Sequence, residues 1–303
     1  MNALVIGYGS IGARHARLLT ELGCRTAVIS GREVDFPIVY SDLVAALAME
    51  CPEYVVIANF TSLHYDTLSL LGQLGYTGTV LVEKPLFSQF HEFSSPPFRN
   101  IFVAYNLRFH PVIQRLKTLL EGEQILSVQA YVGQYLPDWR PSTDYRTSYS
   151  ASAEQGGGAL RDISHELDYL TWMLGGWDQV VALGGHYSPL EISSDDIFSL
   201  MLVTPSCPIV SLQMNCLDRV GRRFLIINTA KHTIEADIVK GEILVDRDSE
   251  SLTAERDYTY RAMHEALLSG NGNTACSLAE GLETLRLIEA AELAAKRREW
   301  VKR

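Results

Sequence analysis

The feature that most constrains this chain is a glycine-rich turn close to its N-terminus. The apolar run 3–6 predicts a short buried strand, and the segment after the turn carries apolar residues at helical spacing. In such a strand–turn–helix unit Gly7 permits the tight turn, Gly9 lets a pyrophosphate approach the backbone, and Gly12 lets helix and strand pack closely. The helix N-terminus would hold the phosphates through its N–H groups and dipole. A fortuitous glycine-rich turn is the alternative, but the strand–helix context favours a dinucleotide site with contacts from the whole loop: Gly7, Tyr8, Gly9, Ser10, Ile11 and Gly12.

The rest of the chain predicts two kinds of sheet. In the first third, short apolar runs alternate with helical patterns, which indicates a parallel sheet with right-handed crossovers. Beyond residue 124, β-rich runs joined by turns indicate a largely antiparallel sheet; the runs are 125–132, 197–203, 209–215, 223–228, 232–236 and 242–245. The predicted fold class is α/β, with an N-terminal Rossmann-type doubly wound parallel sheet and a C-terminal α/β domain with a large, open, mostly antiparallel sheet.

The length supports two domains, because 303 residues correspond to about two domains of roughly 150 residues each. We expect a dinucleotide-binding domain at 1–108 and a substrate-binding and oligomerisation domain at 109–275. A long amphipathic helix within 276–303 is expected to pack back on the first domain.

Composition excludes several classes of protein. The chain has 26 Lys and Arg against 36 Asp and Glu, a net charge of −10, which argues against a general nucleic-acid binder. The apolar run at the N-terminus is too short for a signal segment or a membrane span, so no membrane partner is expected. Five scattered cysteines never form a CxxC pair, which indicates reduced thiols, no zinc site and a cytoplasmic protein.

The second strand predicts which dinucleotide is bound. An acidic residue at its end would hold the ribose 2′-hydroxyl of NAD, whereas an arginine accommodates the 2′-phosphate of NADP. The strand ends with Ser30 and Arg32, although Glu33 follows directly. We therefore expect NADP rather than NAD. Further dinucleotide contacts are expected from the ends of later strands, at Asn59, His64, Glu83 and Lys84.

Lys84 stands at the carboxyl end of a later strand, in the segment Glu83-Lys84-Pro85. Ligands of open α/β sheets bind beyond strand carboxyl ends, so this lysine could orient a substrate hydroxyl and assist proton transfer. A surface lysine before a helix-breaking proline is the alternative.

A second set of candidate residues follows a triple glycine. In 156–174 the apolar residues fall on one helical stripe, while Asp162, His165, Glu166 and Tyr169 gather on the opposite side. An acid, an imidazole and a phenol together suit acid–base work, whereas a solvated helix face is the structural alternative. We predict Lys84, Asp162 and His165 as the catalytic residues.

Aromatic and cationic residues before this helix predict a polar substrate pocket. Aromatic rings stack on sugar faces and arginines bind carboxylates or phosphates in bidentate fashion. The arginines favour an anionic sugar, against the alternative of a surface loop with structural ion pairs. The predicted substrate contacts are Lys84, Asn106, Arg108, Trp139, Arg140, Tyr145, Arg146, Asp162, His165 and Tyr169; Asp144 and Arg161 lie nearby.

The ordered segments GYGSIGARH, EKP, YNLRFHP and GGGALRDISHELD resemble the glucose–fructose oxidoreductase, inositol dehydrogenase and MocA family (Gfo/Idh/MocA) over essentially the whole chain. The resemblance implies NAD(P)-dependent oxidation of sugars, cyclitols and related substrates, and a homodimer or homotetramer formed through the C-terminal sheet. It places the family lysine at Lys84 and the family acid and histidine at Asp162 and His165. The runs YLPDWRP, DYRTSYSA and DISHELDYL are similar to oxidoreductases of bacterial surface-sugar synthesis.

The chain departs from the family in two places. Many members space the acid and the histidine four residues apart, whereas Asp162 and His165 are three apart, which leaves both on one helical face. The stretch 86–100 is short, with Ser94-Ser95-Pro96-Pro97 where many members carry a longer helix.

Three functions remain open. The first is hydride transfer between a sugar carbon, possibly of a phosphorylated, acidic or nucleotide-linked sugar, and a nicotinamide cofactor. The second is glycoside hydrolysis with tightly held NAD. The third is a non-catalytic dinucleotide sensor of the same fold, against which the joint presence of the three catalytic candidates argues.

Overall fold

The computed structural model describes residues 1–93 and 98–303, which form two compact units. The first unit contains Met1–Phe109 and Asp257–Leu282, and the second contains His110–Arg256 and Glu283–Arg303. The segment Ser94-Ser95-Pro96-Pro97 lies outside the described residues.

The first unit is built on a seven-stranded sheet with the order β15-β6-β5-β4-β1-β2-β3. All neighbouring strands pair in parallel except β15, which runs antiparallel to β6 at the edge of the sheet. The central strands are buried except for Asn2 at the start of the first strand, as expected for a parallel sheet with helices on its faces. The elements are β1 (Asn2–Ile6), α1 (Ser10–Glu21), β2 (Arg25–Ile29), β3 (Val39–Tyr40), α2 (Leu43–Glu50), β4 (Tyr54–Ile57), α3 (His64–Gln73), β5 (Thr79–Val82), β6 (Asn100–Val103), α7 (Tyr258–Leu268) and β15 (Cys276–Ser277).

The second unit is built on a nine-stranded sheet with the order β14-β13-β12-β11-β7-β10-β9-β8-β16. The pair β7–β10 is parallel and the others are antiparallel, which confirms the predicted mixed fold class. The elements are α4 (Pro111–Leu120), β7 (Ile125–Gly133), α5 (Ala159–Asp162), α6 (His165–Leu174), β8 (Gln179–Gly185), β9 (Ile197–Val203), β10 (Val210–Asn215), β11 (Arg222–Thr229), β12 (Thr233–Asp237), β13 (Glu242–Val245), β14 (Asp248–Ser251), α8 (Leu278–Arg297, which begins in the first unit) and β16 (Val301–Lys302).

The boundaries of the two units correct the predicted domains. The stretch 257–275, which was assigned to the second domain, belongs to the first unit, because Met263 and Leu267 of α7 join the core formed with Ala16 and Leu19 of α1. The expected return of 276–303 to the first domain holds only as far as Leu282. The later part of α8 buries its apolar residues in the second unit, and β16 extends the second sheet by pairing with β8.

Three further features of the described residues bear on function. No helix among them is long and apolar enough to cross a membrane. All five cysteines are free. No cluster of histidine, cysteine or carboxylate side chains that could hold a metal ion occurs within 1–93 and 98–303.

Candidate functional site

The glycine turn has the geometry that its spacing predicts. Gly7 has a φ of +96°, and a Cβ there would lie 2.6 Å from the backbone nitrogen of Asn59. A Cβ on Gly12 would lie 1.9 Å from the carbonyl oxygen of Gly7, so helix and turn approach too closely for any side chain. Gly9 is different: it has an extended backbone, and its Cβ would meet no atom within 4 Å.

The N-terminus of α1 adds hydrogen-bond donors to this open side of the turn. Gly9 is the residue that precedes the helix, and no side chain caps the helix there. The first N–H groups of an α-helix have no intrahelical acceptor, and the helix dipole favours negative charge beside them. Gly9 and the start of α1 therefore form a cradle that an anionic group could enter, and the residues present fit a dinucleotide.

The end of β2 places Ser30 and Arg32 beside the same turn. The Ser30 hydroxyl donates to the carbonyl of Arg32 at 2.7 Å and accepts from its N–H, which fixes a tight local bend. The exposed guanidinium of Arg32 donates to the carbonyl oxygen of Tyr8 at 3.4 Å. A cation thus stands at the glycine turn, and the neighbouring Glu33 is exposed.

Asn59 and His64 follow β4. The Asn59 amide donates to the Thr67 hydroxyl at 2.9 Å. His64 is 1% exposed, its ring lies against the carbonyls of Asn59, Pro85 and Leu86, and burial lowers its pKa. His64 therefore ties two loops together inside the unit, and its direct contact with a dinucleotide remains a prediction.

Glu83 and Lys84 directly follow β5, as the sequence predicts. The buried Glu83 carboxylate accepts from His15 at 2.8 Å and from the backbone N–H of Lys84 at 3.0 Å. Lys84 is half-buried, and the Lys84–Pro85 peptide is cis.

Asn106 and Arg108 lie in a buried turn of the first unit. The Asn106 amide donates to the Thr259 hydroxyl at 2.6 Å. The Arg108 side chain is 1% exposed and pairs with Glu280 at 2.9 Å. These partners give both residues a structural role, and their substrate contacts remain predictions.

In the second unit, the predicted helix after the triple glycine is split in two. Helix α5 ends at Asp162 and α6 begins at His165, so the expected single amphipathic helix is wrong. The carboxylate of Asp162 is buried and accepts from the backbone N–H of Gly158 at 3.3 Å. Tyr149 lies beside it, and burial together with this carboxylate raises the pKa of the tyrosine. His165 is half-buried.

The solvated-face alternative for this segment is also wrong. Glu166 and Tyr169 are 0% and 1% exposed. The Arg223 guanidinium of β11 donates to Glu166 at 2.6 Å, and the Tyr169 hydroxyl donates to the same carboxylate at 3.3 Å. Burial raises the pKa of Glu166 and outweighs the opposing effect of Arg223. Tyr169 is therefore turned inward, and its role as a substrate contact remains a prediction.

Asp195 lies near the predicted site residue Asp162, and the sequence analysis did not single it out. Its carboxylate accepts from the backbone N–H of Leu160 at 2.9 Å and lies against Gly158, where a Cβ would approach within 2.2 Å. Burial, and to a smaller degree the nearby Glu292 and Asp162, raise the pKa of Asp195 to about 6. Asp195 lies 33 residues after Asp162 in the sequence, so no local pattern indicated this contact.

Most of the arginines that suggested an anionic substrate have carboxylate partners within their own unit. Arg146 pairs with Asp144 at 2.8 Å and with Glu191 at 3.1 Å, and Arg161 pairs with Glu292 at 2.8 Å. Arg140 lies over the Tyr149 ring at 5.5 Å. These pairings remove much of the basis for an anionic substrate.

The aromatic residues of the same loop form a small pocket. Trp139 donates to the carbonyl of Gln134 at 3.0 Å, and the Tyr145 hydroxyl accepts from the backbone N–H of Glu191 at 3.3 Å. Together with Arg140 they line a space of about 10 Å³, which is the room that one water molecule needs.

A larger cavity of about 660 Å³ lies in the first unit at the other edge of the parallel sheet. It is lined by Met1, Tyr54, Thr79 and Asn100, at the starts of their strands. Ligands of such sheets bind beyond the strand carboxyl ends, so this cavity lies at the opposite end of the strands from the predicted dinucleotide site.

Residues 113–235 match the family model described as the GFO/IDH/MocA C-terminal domain. This part of the chain therefore carries a C-terminal domain of the Gfo/Idh/MocA type. The resemblance predicted from the motifs is confirmed for these residues, which include the segment GGGALRDISHELD. No curated protein matches the chain.

Several solved structures share the fold of this chain over almost its whole length. Levoglucosan dehydrogenase in complex with NADH and levoglucosan is 18% identical, with a TM-score of 0.85, and the match covers 100% of this chain and 99% of that one. GenD2 from gentamicin A biosynthesis in complex with NAD is 20% identical, with a TM-score of 0.81 and coverages of 100% and 96%. The WlbA dehydrogenase from Bordetella pertussis, in complex with NADH and UDP-GlcNAcA, is 20% identical, with a TM-score of 0.80 and coverages of 99% and 98%.

Proposed function

We propose that this protein is a nicotinamide-dinucleotide-dependent oxidoreductase that acts on a CH–OH group of a sugar or sugar derivative. The observation that carries the proposal is the open side of Gly9 at the uncapped start of α1, on the edge of the sheet where Lys84 follows β5. The names of the similar solved structures, two dehydrogenases of sugars or sugar derivatives among them, support the substrate class.

The proposed chemistry divides between the cofactor and the chain. A bound dinucleotide would supply the hydride acceptor or donor, and the chain would supply orientation and proton transfer. His165 would take the proton of the substrate hydroxyl in the oxidative direction and return it in the reductive one. Asp162, a buried carboxylate three residues before His165, would orient the imidazole, and the Lys84 ammonium would polarise the substrate oxygen.

The substrate is proposed as a hydroxylated sugar without a requirement for a phosphate or carboxylate. Arg108, Arg146 and Arg161 each have a carboxylate partner, so they offer little to an anionic group. Acidic, phosphorylated and nucleotide-linked sugars nevertheless belong in the panel of substrates to be assayed, because the arginine Arg140 is exposed.

A substitution at Gly9 tests the cofactor site directly. Gly9→Val places a side chain in open space, and the extended backbone accepts it, so the melting temperature should not change. Because the side chain would occupy the approach to the helix N-terminus, we expect dinucleotide affinity, measured by calorimetric titration, to fall about tenfold or more. Gly12→Ala is the contrast, because its clash with Gly7 should lower the melting temperature. Unchanged affinity in Gly9→Val would contradict the proposal.

We propose that Ser30 and Arg32 determine the choice of cofactor and that they favour NADP. The three solved structures described above hold NAD or NADH, so the preference rests on the Arg32 cation at the glycine turn. Arg32→Ala should weaken NADP binding by about 1.5–3 kcal/mol, since a charge-assisted hydrogen bond is lost. Titration of both nucleotides against both proteins measures it, and tighter binding of NAD by the wild type would show that the preference is wrong.

A further inference from the structure

Four buried polar side chains form a hydrogen-bond chain across the first unit. Glu83 follows β5, His15 lies on α1, His264 on α7 and Tyr54 at the start of β4. The Glu83 carboxylate lies 2.8 Å from Nε2 of His15, Nδ1 of His15 lies 2.8 Å from Nε2 of His264, and Nδ1 of His264 lies 3.1 Å from the Tyr54 hydroxyl. All four are at most 6% exposed, so each hydrogen bond replaces one that water can no longer provide.

One assignment of protons satisfies every contact in this chain. An ionised Glu83 only accepts, so Nε2 of His15 donates to it, and Nδ1 of a neutral His15 must accept. His264 then donates from Nε2 and accepts at Nδ1, and the Tyr54 hydroxyl donates. The reverse assignment, with a doubly protonated His15, would leave the Tyr54 hydroxyl hydrogen without an acceptor among the described residues.

The surroundings of these side chains favour a neutral His264 and an ionised Glu83. Burial lowers the pKa of His264 well below its usual value. Burial by itself would raise the pKa of Glu83, but the hydrogen bonds from His15 and from the backbone N–H of Lys84 lower it. An edge of the Tyr260 ring packs on His15 at 5.5 Å.

The hydrogen-bond chain ends at the backbone N–H of Lys84, the predicted catalytic lysine. While one oxygen of Glu83 accepts from His15, the other accepts from the backbone N–H of Lys84 at 3.0 Å. A buried carboxylate that is held from two sides fixes the peptide from which the Lys84 side chain departs. Because His15 lies on α1, the same contact joins the helix of the glycine turn to the strand end that carries the lysine.

We propose that His15 and His264 are positioning residues: with Tyr54 they form a one-directional hydrogen-bond chain that holds the Glu83 carboxylate against the backbone of Lys84. The importance of these residues for turnover rests on the proposed function of Lys84. The existence of the hydrogen-bond chain does not depend on that function. The two can therefore be tested separately.

Imidazole nitrogen spectra test the direction of the chain without any substrate. In protein labelled with ¹⁵N-histidine, two of the eight histidines should be neutral Nε2–H tautomers with an accepting Nδ1, and their signals should change in His264→Gln and Tyr54→Phe. Tyr76→Phe is the matched control, because Tyr76 is another buried tyrosine of this unit that donates to the Thr79 carbonyl. A doubly protonated His15, or an Nδ1–H tautomer on either ring, would overturn the proposal.

Amide hydrogen exchange tests the hold on Lys84. His264→Leu removes the donor to His15, whereas the side-chain amide of His264→Gln can still donate from the same place. We expect exchange of the Lys84 amide to accelerate about tenfold in the leucine variant and to stay within about threefold of wild type in the glutamine variant. Equal exchange in the leucine variant and the wild type would overturn the proposal, as would equal acceleration in both variants.

Separate measurements of dinucleotide affinity and of kcat distinguish the proposed function from the positioning role of His264. If the proposed function holds, His264→Leu should lower kcat for the best sugar substrate while His264→Gln restores most of it, with dinucleotide affinity retained in both. If no sugar is turned over by the wild type, the proposed function fails while the spectra and the exchange rates still decide the hydrogen-bond chain. An unchanged kcat in His264→Leu, with a working wild type, would overturn the positioning role.

Discussion

Within the segment 162–165 the histidine is the most accessible residue. Asp162, Ile163 and Ser164 are all at most 7% exposed, whereas His165 is half-buried. An acid–base group must reach both a substrate and a proton source, so His165 suits this role better than Asp162 does. The Asp162 carboxylate is buried, accepts from the backbone N–H of Gly158 and lies beside Tyr149.

Removal of the imidazole should therefore affect turnover and not cofactor binding. We expect His165→Ala to lower kcat by about 10²–10⁴-fold, the range for loss of a general acid–base group, with dinucleotide affinity near that of wild type. His232→Ala, at an exposed histidine that pairs with Asp246, is the matched control. Activity of His165→Ala within a few-fold of the control would move the role to Lys84 or Tyr169.

At single residues, the sequence predicted those positions whose neighbours are local. Gly12 could be assigned from spacing alone, because the carbonyl of Gly7 in the same turn excludes any side chain there. The arginines could not, because their partners lie far along the chain: Arg161 meets Glu292, and Arg108 meets Glu280. Only folding shows whether such a guanidinium is already paired.

At the scale of elements, the segment after the triple glycine shows the limit of periodicity. The apolar stripe predicted one long helix, but the chain breaks between Asp162 and His165, and Arg223 from β11 draws Glu166 inward. Helical spacing describes which residues share a side, and tertiary partners decide which sides are buried. The start of α5 depends on such a partner as well, since the Asp195 carboxylate binds the Leu160 amide.

The Asp195 contact predicts a pH dependence of stability. The pKa of about 6 in the folded unit exceeds the value of about 3.9 for an unfolded aspartate, so the folded state binds the proton more tightly. This contribution is fully present below about pH 4 and is lost as the pH rises through about 6. Asp195→Asn should therefore raise the free energy of unfolding at pH 7.5 by up to about 3 kcal/mol.

Urea unfolding at pH 4.5 and pH 7.5 measures this effect. The difference between the two pH values should shrink in Asp195→Asn and remain in Asp248→Asn, an exposed aspartate of the same unit. A variant that is less stable than wild type at pH 7.5, with its pH dependence unchanged, would contradict the prediction.

At the scale of the whole molecule, neither unit is a continuous stretch of chain. The sequence predicted both sheets, but not that α7 returns to the first unit or that β16 closes the edge of the second sheet. A two-residue strand such as Val301–Lys302 has too short a pattern to be recognised, and helical periodicity alone does not say which sheet α7 packs on.

The second sheet keeps apolar side chains on its outer face, which predicts self-association. In β9 alternate residues are buried, while Met201 on the other face is 46% exposed, and Leu183 of the neighbouring β8 is 63% exposed. We expect a homodimer or homotetramer through this face, because contiguous exposed apolar surface marks an interface. Leu183→Glu combined with Met201→Glu should give monomers by light scattering, whereas Leu70→Glu in the first unit should not. A monomeric wild type would contradict the expectation.

Single-turnover absorbance of the reduced nicotinamide band, in wild type and Lys84→Met, tests the central claim most directly. The methionine keeps the length of the side chain and removes its nitrogen, while the glycine turn that should hold the dinucleotide is untouched. With a panel of neutral sugars, sugar acids, sugar phosphates and nucleotide sugars, the account predicts hydride transfer in wild type and a sharply lower rate in Lys84→Met at equal dinucleotide affinity. Absence of hydride transfer with every sugar, or equal rates in the two proteins, would contradict it.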